Sequence, residues 1–599
     1  MKHILSALAA GLIGVTSLSA AGGTSESGFK VKGMLPWHNF LCGPSAWNIE
    51  DYEKYLDRCQ EEGINFIGFH NYTGGAERYA TYVEPMIKIE YSNVLPDAFF
   101  DNSATARWGA LPIEKSGFAY GSEKYIDFRK GRFGSDATTV PGSVSEHYEA
   151  AHSLMKQVMD MAHKRGIKMA MGFEFGIIPP EFFSLYSPEG RFFWLGEAGM
   201  IPNPCNPTSI GIHFAAVDDI IESYPGIDYI WLWLSEHSFM GVNLEQALQD
   251  PKFKEVYDSD SKYFSDGSDQ VKFLGAWSLE YIRLTQRRLK EKGSDAKIII
   301  GGWGGGNQLP AILKGLDKAL PQDVVFSCLN PDLGKAAQPD FLTDIALHRD
   351  VWAIPWLEGD HQLWHWQPRV SLMKEHIGKA ADQGLQGILS IHWRTWENKY
   401  NFEAFSHFAD RPHDGATTED LYTEYFTEDF GKEAAEIIAP VFARIDESQI
   451  WKDVSSPEYF SYNPWWGRLD NRNKESREQL IDAISRVSGV TEDERHAENL
   501  EKFKSVFEFE LLLDECGRAL EKGWELKKDY LRTGNFPDEA TRKEALALMS
   551  SAPVEEMIGK YTSRVDNRGD MGILVSINQR FWQSWTEIKD FLENTDNNR

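Results

Sequence analysis

Two glutamates stand where an apolar run stops. Ile227 to Leu234, IDYIWLWL, ends in Ser235-Glu236-His237, and Val351 to Leu357 ends at Glu358. A carboxylate at the end of a buried strand is costly to desolvate, so it is either paired or kept for use. Two such groups facing each other suit cleavage of an acetal C–O bond. One protonates the leaving oxygen while the other attacks the anomeric carbon or activates water, and a gap of about 5 Å gives retention of configuration. The setting of Trp231, Leu232, Trp233 and Leu234 should raise the Glu236 pKa and suit it to be the acid. Glu358 must stay ionised to act as nucleophile, with Arg394 or a nearby His to hold it so.

Other polar and aromatic residues also end apolar runs. The candidates for holding a ligand are His38, His70, Asn71, Glu174, His237, Trp303, Asp332, Trp364, Trp393, Arg394 and Trp396. Among the twenty Trp, those at run ends matter most. An indole face packs against the C–H face of a pyranose at little entropic cost, so a carbohydrate is the expected partner. Arg394, Lys399 and Arg369 hint at a carboxylate or sulfate on it.

These residues need a frame that brings them together. Eight apolar runs alternate with helical periodicity between residues 29 and 416, which predicts a closed (β/α)₈ (TIM) barrel with its site at the carboxyl ends of the strands. Strands four and seven of such a ring lie on opposite sides, so Glu236 and Glu358 would face each other across the mouth. The insertion from about Thr73 to Gly142 has the length of a functional loop. An open doubly wound sheet fits less well, because no glycine-rich fingerprint follows the first strand and Gly301 to Gly306 lacks the Lys-Ser/Thr of a phosphate loop. From Thr417 on, amphipathic patterning predicts an all-helical domain over 417–599, with a strand-like run only at Ile573 to Ile577.

Composition narrows the partners. Of 599 residues, 42% are hydrophobic and 13% aromatic, ample for a large core. The net charge of −28 disfavours nucleic acid and anionic membrane surfaces. Five scattered cysteines form no C-x-x-C pair, so neither a disulfide framework nor a zinc site is expected. Trp37-His38-Asn39 lacks the His-x-His of a metal-dependent barrel, and no Gly-x-Ser-x-Gly elbow occurs, so no cofactor or metal is expected. Residues 1–21 read as a signal peptide, too short and too rich in Gly and Ser for a membrane span, and imply an exported protein, periplasmic or extracellular.

A Glu ending strand four, a Glu ending strand seven and a Trp ending strand eight resemble the retaining (β/α)₈-barrel glycoside hydrolases with acid/base and nucleophile at those strands. The resemblance covers about residues 30–410 and points to no single family. It implies hydrolysis of O-glycosidic bonds in a plant or algal oligo- or polysaccharide. Those enzymes usually carry Asn before the acid/base, where this chain has Ser235. The helical tail resembles the α-glucuronidase and hexosaminidase-related barrels, whose catalytic carboxylates are placed differently. A glycan-binding barrel without catalysis is the rival reading.

Overall fold

The computed structural model describes residues 28–595 apart from 39–40, 75–83, 98–112, 125–130, 140–141, 188–190, 194–199, 236–241, 305–307, 455–467, 490 and 492. The expected signal peptide at 1–21 falls outside them, as do Glu236 and His237.

Eight parallel strands close into a ring in sequence order. They are β1 (Val31–Pro36), β2 (Phe66–Asn71), β3 (Lys168–Phe175), β4 (Tyr229–Leu234), β5 (Lys297–Gly302), β6 (Val325–Leu329), β7 (Val351–Ile354) and β8 (Gly387–His392). Closure is made by β1 on β8, with Val31 opposite Gly387 and Pro36 opposite His392. Both faces of each strand are covered, which is why the strands read as near-continuous apolar runs. The helices used below are α1 (Ile49–Glu61) and α2 (Lys399–Asp410). Asn48 opens α1 with a capping box to Asp51, satisfying donors that the first helical turn would leave bare. The loop after β3 holds a small antiparallel hairpin, Arg191–Phe193 with Met200–Pro202, which no sequence pattern announced.

The barrel interior is built in levels, and β4 sets them. Phe66, Tyr229 and Trp352 meet edge-on at the lower end, with centroids 5.1 to 5.9 Å apart. Above them Trp231 fills the axis. A Cβ at Gly68, Gly172 or Gly301 would come within 2.0, 2.9 and 2.3 Å of its side-chain atoms, so three neighbouring strands carry glycine where the indole lies. The Trp231 Nε1 proton goes to Ser327 Oγ at 3.0 Å, so this buried donor is satisfied. With Trp231 seated, Trp233 two residues on is presented at the mouth.

Beyond the barrel, the described residues from Thr418 on form helices and no strand. Thr417 caps the first of them: its Oγ accepts from Asp420 N at 3.0 Å and the Asp420 carboxylate accepts from Thr417 N at 2.9 Å. The run Ile573–Ile577, strand-like in sequence, lies within a helix, Arg568–Ser576 (αC), that continues through a π-helical turn, Ile577–Trp582. Every residue of αC is buried, so the segment has no polar face to print a helical period. This helix docks on the barrel. Arg568 Nε donates to Ala46 O at 2.6 Å, and a Cβ on Gly572 would lie 1.8 Å from Leu41 O.

Candidate functional site

The strand pleat decides which tip residues face the barrel axis. On β2 this is His70; on β3, Glu174; on β4, Trp233; and beyond β1, β5, β7 and β8, Trp37, Trp303, Trp356 and Trp393. The indoles form a connected ring. Trp37 lies 5.5 Å from Trp233, 5.9 Å from Trp303 and 6.5 Å from Trp393, and Trp356 lies 6.3 Å from Trp303 and 5.8 Å from Trp393. Trp303 is half-buried, whereas the other four are buried. Trp356 is fixed by its Nε1–H to Asn330 O at 3.1 Å.

His70 stacks on Trp37 at 4.2 Å with planes 11° apart, and its Nε2 lies 3.5 Å from a carboxylate oxygen of Glu174. Glu174 sits opposite Trp233 in the β3–β4 register and is 4% exposed. It is thus a carboxylate inside the mouth, beside an imidazole and among indoles. Behind them, His38 faces away from the axis, stacks on Phe69 and has Nδ1 3.1 Å from His70 O and 3.4 Å from Glu84 Oε2. Glu84 is buried and also accepts from Tyr72 N at 2.8 Å, so this acid ties the loop after β2 to the tip of β1. Asn71 likewise faces outward, giving Nδ2–H to Gly172 O at 3.0 Å.

Glu358 does not stand open at the mouth as expected of a nucleophile. Its side chain is fully buried: Oε1 accepts from Trp393 N at 2.7 Å, Arg394 N at 2.5 Å and Asn398 Nδ2 at 3.2 Å, and Oε2 accepts from Arg394 Nε at 2.6 Å. Burial would raise its pKa, but the Arg394 guanidinium and the backbone donors reverse this and hold it below the ordinary value. These donors favour the carboxylate form and commit it to shaping the β8 tip. The reason is local. Trp393 and Arg394 leave the strand with unpaired backbone donors, and Glu358 satisfies both.

Other expectations are redirected in the same way. Arg394 is committed to Glu358 and Leu363 O; Lys399 pairs with Asp429 at 2.6 Å; Arg369, buried, donates to Leu333 O at 3.0 Å. Each of these three cations thus has partners within the protein. Trp364 turns toward the helical region, its Nε1–H on Ser576 Oγ at 2.9 Å, and Trp396 lies under Lys502 Nζ at 4.3 Å. Both belong to the seam between barrel and helices. Asp332 is exposed in a turn of positive φ, 54°, outside the ring. Glu84 escaped the sequence reading because its stretch, Tyr82 to Pro85, carries no periodicity. Trp233 could have been placed: alternation from Trp231 puts both on the inner face.

Among the described residues, no group of three or more His, Cys, Asp or Glu is placed to hold a metal ion, and no helix is long and apolar enough to cross a membrane.

No family model matches the sequence. No curated protein matches it either. Solved structures do. A GH89 enzyme from Clostridium perfringens, in complex with its substrate GlcNAc-α-1,4-galactose, superposes with a TM-score of 0.53 at 13% identity, over 96% of this chain and 65% of that one. A GH115 4-O-methyl-α-glucuronidase with specificity for decorated arabinogalactans gives 0.52 at 11% identity, over 92% and 62%. A GH138 enzyme targeting pectin rhamnogalacturonan II gives 0.47 at 12% identity, over 95% and 67%. The chain therefore spans about two thirds of the length of these structures. The fold is that of barrel glycoside hydrolases from several families, no one of which is singled out.

Proposed function

We propose that this protein is an exported glycoside hydrolase acting on a plant or algal glycan at the indole-ringed mouth of its barrel. The observation that carries the reading is the ring Trp37–Trp233–Trp303–Trp356–Trp393 with the His70–Glu174 couple against it, His70 lying 4.2 Å from Trp37 and 5.2 Å from Trp233. An indole face suits the C–H face of a sugar ring, and a carboxylate beside it supplies the chemistry.

Glu236, following β4, acts as acid and base. Glu174, on the adjacent strand, takes the role expected of Glu358. In the first step the Glu236 carboxyl proton passes to the glycosidic oxygen as its bond to the anomeric carbon breaks, and a Glu174 oxygen bonds that carbon, releasing an alcohol. In the second, water gives a proton to Glu236 and its oxygen to the anomeric carbon, and the ester to Glu174 breaks. Two inversions give retention. The glycans named with the neighbouring structures, α-linked GlcNAc and 4-O-methyl-α-glucuronide, are the first to offer.

The test is a panel of aryl glycosides and polysaccharides with the wild type, Glu174→Gln and Glu236→Gln, with product anomers followed by NMR. Loss of about 10³-fold or more in kcat for both variants, with glycan still bound, supports the reading. Hydrolysis that survives either substitution removes that residue from the mechanism. Glycan affinity without hydrolysis by the wild type makes the barrel a binding module.

A further inference from the structure

A second pocket lies outside the barrel wall, where α1, α2 and the start of αC meet. It encloses about 200 Å³, room for roughly seven waters at about 30 Å³ each, or for one small ring-bearing molecule. Trp47, Tyr55 and Phe402 give it an aromatic floor. Lys54, Arg58 and Arg568 line it against a single acid, Asp51. Three cations converging on one pocket stand out in a chain of net charge −28. Arg568 lies 3.7 Å from Asp51 and donates to Ala46 O, Arg58 lies 3.6 Å from Glu403 and 4.5 Å over the Phe402 ring, and Lys54 forms no salt bridge among the described residues. The first turn of αC, through Asn567 and Gly569, adds the positive end of a helix to the same wall.

We infer that this pocket is a second ligand site, selective for a small anion with an apolar ring face, of the class of a uronate sugar. The aromatic floor takes the ring, and the cations take the carboxylate. The site is separate from the mouth and does not depend on the reaction proposed there. It does touch the scaffold of the mouth, because Asn398, on its wall, donates to Glu358.

The test is titration calorimetry of the full chain with glucuronate, glucose and sulfate, using the wild type, Lys54→Gln and Thr395→Trp. Lys54 is exposed, so its substitution leaves the fold intact, and Trp at the half-buried Thr395 fills the cavity from its wall. Glucuronate should bind at least tenfold more tightly than glucose or sulfate, and lose tenfold or more in Lys54→Gln and Thr395→Trp. Absence of glucuronate binding overturns the inference. So does binding that ignores Lys54 and Thr395, which would place the ligand elsewhere, the mouth included. Sulfate bound as tightly as glucuronate overturns the claim that a ring is read.

Discussion

At the scale of single residues, the two carboxylates around the mouth should respond oppositely to the same substitution. In Glu358→Gln the Arg394 guanidinium stays buried without its counter-charge, and an amide N–H replaces one of the oxygens that took its donors. Breaking a buried pair in this way costs about 3–5 kcal/mol. Denaturant unfolding should show it directly, as a lower midpoint. Glu174 meets His70 only at 3.5 Å, so Glu174→Gln should stay within about 1 kcal/mol of wild type while abolishing hydrolysis. If Glu358→Gln is instead stable and inactive, Glu358 is the reacting group. The sequence marks Glu358 as a charge at the end of a buried strand. It could not show what occupies the oxygens, because two of the donors are backbone N–H groups some 35 residues away, and an N–H leaves no mark on residue identity. Glu84 was hidden for a related reason: its partners are an imidazole and a backbone N–H, with no second carboxylate or motif to point at it.

At the scale of elements, the site depends on β4 sitting at one height in the barrel. Trp231 sets that height against Gly68, Gly172 and Gly301, and Trp233 follows it to the mouth. A methyl at Gly172 would meet Trp231 Cβ and O, each at 2.9 Å, atoms that cannot swing aside as a long side chain can. Gly172→Ala should therefore cost about 1–3 kcal/mol by overpacking, and shift the near-ultraviolet circular dichroism of the Trp cluster. An unchanged spectrum and midpoint would mean that the interior gives way easily and that β4 is not held as described. The eight strands were legible because each is a short apolar run closed by a polar or aromatic residue. The helix Arg568–Ser576 was not, because complete burial removes the contrast between faces on which periodicity rests. The hairpin after β3 was missed because three-residue strands are too short to show alternation.

At the scale of the whole molecule, barrel and helices share one packed seam, and its buried ionisable groups set how stability follows pH. Asp360 sits there in a short 3₁₀ turn, Asp360–Gln362, 5% exposed. Burial pushes its carboxyl from 3.8 up to about 7; backbone N–H donors and Arg369 oppose the rise, Glu358 adds to it, and His361 lies 4.0 Å away. For an acid whose folded pKa is raised, the folded state binds the extra proton between the two values. Stability is then greatest below about 3.8 and is lost as pH climbs to about 7. A three-unit rise corresponds to about 4 kcal/mol at most, less whatever the seam recovers by relaxing. Buried His361 and His376, each lowered to about 3 by burial, act in the other direction and cost stability as pH falls below about 6.5. The two families oppose each other between about pH 4 and 6.5, so a wild-type profile alone would hide both. Asp360→Asn isolates one. It cannot ionise, so its stability relative to wild type should climb steadily from pH 4 to 7 and level off by pH 8, with the histidine part cancelling in the difference. Parallel wild-type and Asp360→Asn curves of unfolding free energy against pH would show that Asp360 titrates alike in the folded and unfolded chains, and that the seam is open to water there.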